Sequence, residues 1–285
     1  MFPELNQRIC QLIRQLGQEA KQLRCQGLSI SAKGVDDYVT NVDCLLDQKF
    51  SSQFQQWFPN DGVISEENVA SLQLWQQQLP RYWLIDPIDG TSDFMTGGAS
   101  YSVMIGLLEQ GQPVMGWVYA PESDRLYFGG TLVGNLYLQI GDQPPQVLDF
   151  QAPTQNLGKV ILSDKDQAKF GDLIQMAIPG TKYYSVGSFG LKVIEVILGR
   201  ADAYLYLNRR VKLWDTIAPL AFAKWAGLTC CDLDGSPLGF EPYLIQFQTL
   251  THLQDVIIGW PGFVQGLQPA IAQQLRPFLP SQIIE

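Results

Sequence analysis

In the run Asp86-Pro87-Ile88-Asp89-Gly90-Thr91-Ser92, two carboxylates stand three residues apart across a proline, and a Gly-Thr-Ser follows at once. Carboxylates held on a stiff turn suit hard cations such as Mg²⁺, which take oxygen ligands. The backbone N–H groups of a Gly-Thr-Ser run at the start of a helix suit an anion. A cation site beside an anion site is what phosphoryl chemistry needs. Further acids lie outside this run: Asp43 in Val39-Thr40-Asn41-Val42-Asp43, the pair Glu66-Glu67 after Val63-Ile64-Ser65, and Asp215 after Trp214. Each alone has an ordinary reading, since Asp before Pro sets turns, Asp at a helix start caps it, and an acidic pair faces water. Their order and setting together point to a metal-dependent reaction.

Other catalytic apparatus is missing. The chain has one histidine, His252, in a polar segment without partner ligands, and it is expected at the surface. There is no G-x-S-x-G, no H-E-x-x-H and no G-x-x-x-x-G-K-[ST]. Gly129-Gly130 and Gly134 read as hairpin turns, and Asp86-x-x-Asp89-Gly90 lacks the alternation of an EF-hand. A hard dication lowers the pKa of its water and stabilises a departing alkoxide, so no protein nucleophile is required.

The Asp-Pro-Ile-Asp-Gly-Thr string, with Glu66-Glu67, Asp43 and Trp214-Asp215 in order around it, resembles the signature of the inositol monophosphatase family, the lithium-sensitive phosphomonoesterases. The resemblance implies a layered α/β sandwich of the sugar-phosphatase type. It implies two or three Mg²⁺ ions held by Glu66, Asp86, Asp89, Asp215 and the carbonyl of Ile88, with Li⁺ as an inhibitor. Catalysis would fall to Asp43, Glu66 and Thr91, the Thr91 hydroxyl helping to activate a water under the orientation of Asp43. Phosphate would meet the backbone of Gly90, Thr91 and Ser92. Lys33, ten residues before Asp43, matches a lysine that the family often carries on a mobile loop.

A second signature, Gly187-Ser188-Phe189-Gly190-Leu191-Lys192, is most like the 3′(2′),5′-bisphosphate nucleotidase branch, which uses a lysine at the position of Lys192 near the nucleotide. It adds Ser188 and Lys192 as substrate residues. Arg209, Arg210 and Lys212 put three cations in four residues close to Asp215, suited to a second phosphate, although such a turn ordinarily faces water. Tyr206 departs from the pattern, standing where many bacterial nucleotidases have arginine and inositol phosphatases a sugar-gripping glutamate. The expected substrate is 3′-phosphoadenosine 5′-phosphate, cleaved to AMP and phosphate. Inositol monophosphate and a sugar bisphosphate such as fructose 1,6-bisphosphate remain alternatives, as does a phosphometabolite-binding regulator without activity.

Composition and patterning set the frame. An apolar fraction of 46% and a charged fraction of 16% describe a globular chain, long enough at 285 residues for two lobes. The formal charge of −9 argues against nucleic-acid or anionic-membrane partners. No apolar run reaches membrane-spanning length, and five cysteines without C-x-x-C spacing read as free thiols, so a cytoplasmic location is expected. Family members occur as monomers and as homodimers, and both states stay open.

Helical spacing of apolar residues predicts a helix over 4–24 and another from about Asp43. Strands follow at Ser102–Leu108, Val114–Ala120 and Asn135–Ile140. A Pro- and Gln-rich stretch, Gly141–Asn156, suggests a boundary between an N-terminal α+β lobe, 1–145, carrying the metal and phosphate residues, and a C-terminal α/β lobe, 146–285, carrying substrate-side residues. Strands and helices then alternate to a closing helix at Phe263–Phe278.

Overall fold

The computed structural model describes residues 2–34 and 37–278. The chain divides into two compact units. The first joins Met1–Leu148 to the segments Gly187–Leu191 and Leu213–Trp225, and the second holds Asp149–Val186, Lys192–Lys212 and Ala226–Glu285. Two stretches from the second half of the sequence therefore belong to the first unit. One of them carries Asp215.

The first unit is built on a seven-stranded sheet in the order Gly62–Ser65, Arg81–Asp89, Ser102–Glu109, Gln112–Ala120, Arg125–Gly130, Asn135–Ile140, Gln146–Val147. The first pair runs parallel and the later pairs antiparallel. Side chains alternate across a sheet. Odd-numbered Trp83, Ile85, Val103, Ile105, Met115 and Trp117 share one core with Ile9, Ile13 and Leu16 of the Phe2–Gln26 helix and Val42, Leu46, Phe50 and Phe54 of the Asn41–Trp57 helix. The 3–4 residue spacing of those helical positions makes the apolar stripes that the sheet covers.

The opposite face receives the Leu213–Ala226 helix at two glycines. Gly106 and Gly116 pair across neighbouring strands. A Cβ on Gly106 would lie 2.7 Å from Ala218 N, and one on Gly116 would lie 2.4 Å from Ala218 O. Only bare backbone admits the helix so closely, and this contact sets the height at which its first turn, with Asp215, stands on the sheet.

Gly129 and Gly130 are not turn residues. They end the Arg125–Gly130 strand with φ of +148° and +140°, and the chain reverses after them. Each lies against backbone, since a Cβ would meet Asn135 O at 2.2 Å or Val114 O at 2.5 Å. Positive φ and close packing against backbone, not a position in the turn, call for glycine here.

The second unit has a five-stranded sheet in the order Lys182–Tyr184, Lys159–Leu162, Ala203–Tyr206, Val256–Gly259, Thr229–Cys231. The first three are parallel and the last two antiparallel to their neighbours. The helices Asp164–Ala177 and Pro261–Leu275 bury Phe170, Ile174, Ile271 and Leu275 against Val160, Leu162, Leu205 and Ile257. His252 is not at the surface. It is fully buried, edge-on to Phe240 with ring centroids 5.6 Å apart, and its backbone N–H donates to Val211 O. The polar neighbours in sequence mislead because a short hairpin, Ile245–Gln246 against Thr251–His252, turns the residue inward. Burial pushes its pKa down to about 4. Among the described residues no helix is long and apolar enough to cross a membrane.

Candidate active site

Two parallel neighbours, Gly62–Ser65 and Arg81–Asp89, bring the first acids together. Ser65 pairs with Ile85 and the Glu66 N–H donates to Ile85 O at 3.1 Å, so Glu66 and Asp86 leave the same edge side by side. Asp86 and Asp89, three residues apart, would face opposite sides of a regular strand. The register against the next strand shifts between them, Asp86 facing Met104 and Asp89 facing Ser102, which inserts one extra residue. That bulge cancels the odd spacing and re-aims Asp89 toward Asp86. The Ile88 N–H donates to Asp86 Oδ1 at 3.0 Å and fixes the bulge from within.

Asp215, in the first turn of its helix, completes the group: one carboxylate oxygen each from Asp86, Asp89 and Asp215 lies within 4.8 Å of the others. Asp86 is 1% exposed, and its carboxyl is held well above the usual range, first by burial and then by the charges of Glu66, Asp89 and Asp215. Two buried carboxylates with a third, half-buried one beside them are costly without a cation, and hard oxygen donors are the set that Mg²⁺ accepts. The donors present therefore fit the dication.

Glu66 stands at the rim under Lys33, whose Nζ is 2.8 Å from Glu66 Oε1 and from Glu67 Oε1. Glu67 is pushed up to about 7 by burial and the Glu66 charge, against the opposing pull of Lys33. Asp43 caps its helix reciprocally with Thr40. The Thr40 N–H donates to Asp43 Oδ2 at 2.9 Å, as does the Thr40 hydroxyl, whose oxygen accepts the Asp43 N–H. Burial raises the Asp43 carboxyl to about 6 despite those hydrogen bonds. Thr91 donates from Oγ1 to Ile88 O at 3.1 Å, and among the described residues no hydrogen bond joins it to Asp43.

Gly90 takes φ of +92°, with Ser188 N 3.2 Å from where a Cβ would sit. Thr91 and Ser92 open the short helix Thr91–Thr96 after it, Ser92 exposed. Ser188 is wholly buried, and its hydroxyl donates to Asp89 Oδ2 at 2.5 Å. Ser102, which the motifs did not single out, lies 2.8 Å from Ser188 Oγ. Its signal in the sequence is faint: one serine heading the apolar strand Ser102-Val103-Met104-Ile105.

The expected substrate cations belong to the second unit. Lys192 is 8% exposed with Nζ 5.4 Å from the Tyr204 ring centroid, and its charge acts on Asp166. Arg209 is engaged by Asp255, with Nε to Oδ1 2.8 Å and Nη2 to Oδ2 3.1 Å. Arg210 is exposed, and Lys212 is half-buried where its backbone bridges to Thr251.

Comparison with known proteins places the chain in a family. The sequence pattern of the inositol monophosphatase family matches residues 4–268. The 3′(2′),5′-bisphosphate nucleotidase CysQ of Salmonella typhimurium is 30% identical over 240 residues, 83% of this chain and 94% of that one. The inositol-1-monophosphatase of Bacillus subtilis is 28% identical over 236 residues, 80% of this chain and 85% of that one. In fold, a crystal structure of an IMPase/NADP phosphatase complexed with Mg²⁺ and phosphate superposes with a TM-score of 0.71 at 20% identity, covering 96% of this chain and 95% of that one. The chain therefore belongs to the inositol monophosphatase family of phosphatases.

Proposed function

We propose that the chain is a Mg²⁺-dependent phosphomonoesterase that removes the 3′(2′)-phosphate of 3′-phosphoadenosine 5′-phosphate, giving AMP and phosphate. The observation that carries the chemistry is the convergence of Asp86, Asp89 and Asp215 beside Glu66. These four carboxylates and the Ile88 carbonyl would hold two or three Mg²⁺ ions, and Li⁺ is expected to compete for one of the positions. Such ions would supply charge neutralisation of the phosphate and acidify a water enough for attack at neutral pH.

The chain's own groups do the rest. The Thr91 hydroxyl spends its proton on Ile88 O, so its oxygen presents lone pairs that accept a hydrogen from the attacking water and aim it. Asp43 and Glu66 add negative charge on the proton-accepting side. The backbone of Gly90, Thr91 and Ser92 is proposed to receive phosphate, glycine at 90 being favoured by its positive φ.

The choice of substrate rests on the nucleotidase relative and on the cations Lys192, Arg210 and Lys212, charge that a monophosphate does not need. Arg209 is paired with Asp255. A reducing, cytoplasmic setting suits the free cysteines. Steady-state kinetics at saturating Mg²⁺ should give 3′-phosphoadenosine 5′-phosphate at least about tenfold higher kcat/KM than inositol 1-phosphate, ~1.4 kcal/mol. An inositol or sugar phosphate that wins would overturn the substrate, and hydrolysis persisting after metal stripping would overturn the chemistry.

A further inference from the structure

We propose that Ser188 and Ser102 are positioning residues, a hydroxyl pair that locks one oxygen of Asp89 so that the carboxylate meets metal in a single orientation. The proposal rests on the metal-dependent reading above.

Asp89 Oδ2 accepts twice, from Ser188 Oγ at 2.5 Å and from the Gly190 N–H at 3.0 Å. A carboxylate oxygen has two in-plane lone pairs, so Oδ2 is saturated and coordination falls to Oδ1. The direction of each bond follows by elimination. An ionised carboxylate only accepts, so the one proton of Ser188 goes to Asp89. Its oxygen accepts the Leu191 N–H at 3.0 Å, and the contact of 2.8 Å with Ser102 Oγ must then be a donation from Ser102. Each hydroxyl polarises the next, which strengthens the last bond in the relay.

Burial makes this arrangement consequential. Ser102 and Ser188 are 0% exposed and Asp89 is 7% exposed, so water does not replace a lost donor at little cost. Ser102 faces Asp89 directly across the strand pair, and the Ser188 N–H donates to Ser100 O at 2.7 Å. The Gly187–Leu191 segment is thus fastened at three points around one carboxylate. A serine in such a place is committed to Asp89 and has no proton left for substrate, which departs from the substrate role expected of Ser188.

The test measures Mn²⁺ binding to the purified full chain by the loss of the free-ion EPR signal, with thermal unfolding alongside. Ser188→Ala is expected to weaken Mn²⁺ affinity by about tenfold, within the range for outer groups that orient metal ligands. Ser102→Ala, acting through Ser188, is expected to weaken it by about threefold, and the double variant no more than Ser188→Ala alone. KM for the phosphate ester at saturating metal should stay within about twofold in each variant. Unchanged Mn²⁺ affinity in folded variants would overturn the proposal, as would a steep rise in KM with affinity intact, the mark of substrate contact. Should Ser188→Ala fail to fold, Ser102→Ala decides by the same criteria. A wild-type chain that binds no Mn²⁺ would instead remove the metal-dependent reading itself, and this inference with it.

Discussion

Lys33 Nζ lies 2.8 Å from Glu66 Oε1 and 2.8 Å from Glu67 Oε1, so one ammonium holds two adjacent carboxylates. Both acids keep Lys33 protonated far above its ordinary range. The contact competes with any other cation for Glu66. A half-exposed ion pair is worth on the order of 1 kcal/mol, so Lys33→Met should tighten Mg²⁺ binding about fivefold. It should also lower the melting temperature of the metal-free chain, where Glu66 and Glu67 would repel unshielded. Isothermal titration of the variant checks the first effect. Weaker Mg²⁺ binding would show that Lys33 assists the site rather than competing with it.

Gly106 and Gly116 make a second prediction, because the Leu213–Ala226 helix rests on their bare backbone. Gly106→Ala drives a methyl into Ala218 N, and backbone cannot rotate away as a flexible side chain would. Overpacking of this kind costs roughly 1–3 kcal/mol, and the helix that must move carries Asp215. Melting temperature and Mg²⁺ affinity are therefore expected to fall together. A variant that loses stability yet binds Mg²⁺ as before would mean that the helix yields without moving its first turn.

His252 gives the chain a pH response separate from the acids. Unfolded, the ring takes a proton near pH 6.5, whereas buried it resists protonation down to about 4. Between those values the unfolded state binds the proton and the folded state does not, so stability falls as pH is lowered through this window. The loss attributable to His252 is roughly 2 kcal/mol by pH 5. Raised carboxyls such as Asp43 and Glu67 act in the opposite sense, gaining stability as they protonate, so the comparison must be between variants. Denaturant unfolding at pH 7 and pH 5 should show a loss in the wild type about 2 kcal/mol larger than in His252→Leu. Equal losses in the two proteins would leave the histidine without this role.

What was legible in the sequence differs between elements for physical reasons. The Asn41–Trp57 helix and the strands Ser102–Glu109 and Gln112–Ala120 follow from apolar spacing, a local property. The acids of the site were legible as types and order, but not the bulge that makes Asp86 and Asp89 converge, which exists only in pairing with Met104 and Ser102. The relay through Ser188 and Ser102 joins residues 86 positions apart, and neither serine carries a local signal for it. The same holds for Gly129 and Gly130, whose requirement comes from their positive φ and from the backbone of Asn135 and Val114. The burial of His252 is not legible locally, because its environment is supplied by Phe240 and a hairpin, not by its sequence neighbours.

Thr91 tests the chemical step most directly. Its hydroxyl proton is committed to Ile88 O at 3.1 Å, which fixes the side chain and turns the oxygen into an acceptor. Thr91→Ala removes that acceptor and leaves the backbone N–H, so substrate binding should survive while the water loses its aim. Loss of a preorganised hydrogen bond at the reacting centre typically costs about 2.7–4 kcal/mol, or roughly 10²–10³ in kcat. Thr91→Ser keeps the hydroxyl and the carbonyl contact and should retain most of the rate. The proposed role predicts that kcat falls while KM changes little, because an interaction that matters mainly in the transition state leaves ground-state binding alone. The opposite pattern, a kcat near wild type with a steep rise in KM, would assign Thr91 to substrate binding and return the orientation of water to Glu66 and Asp43.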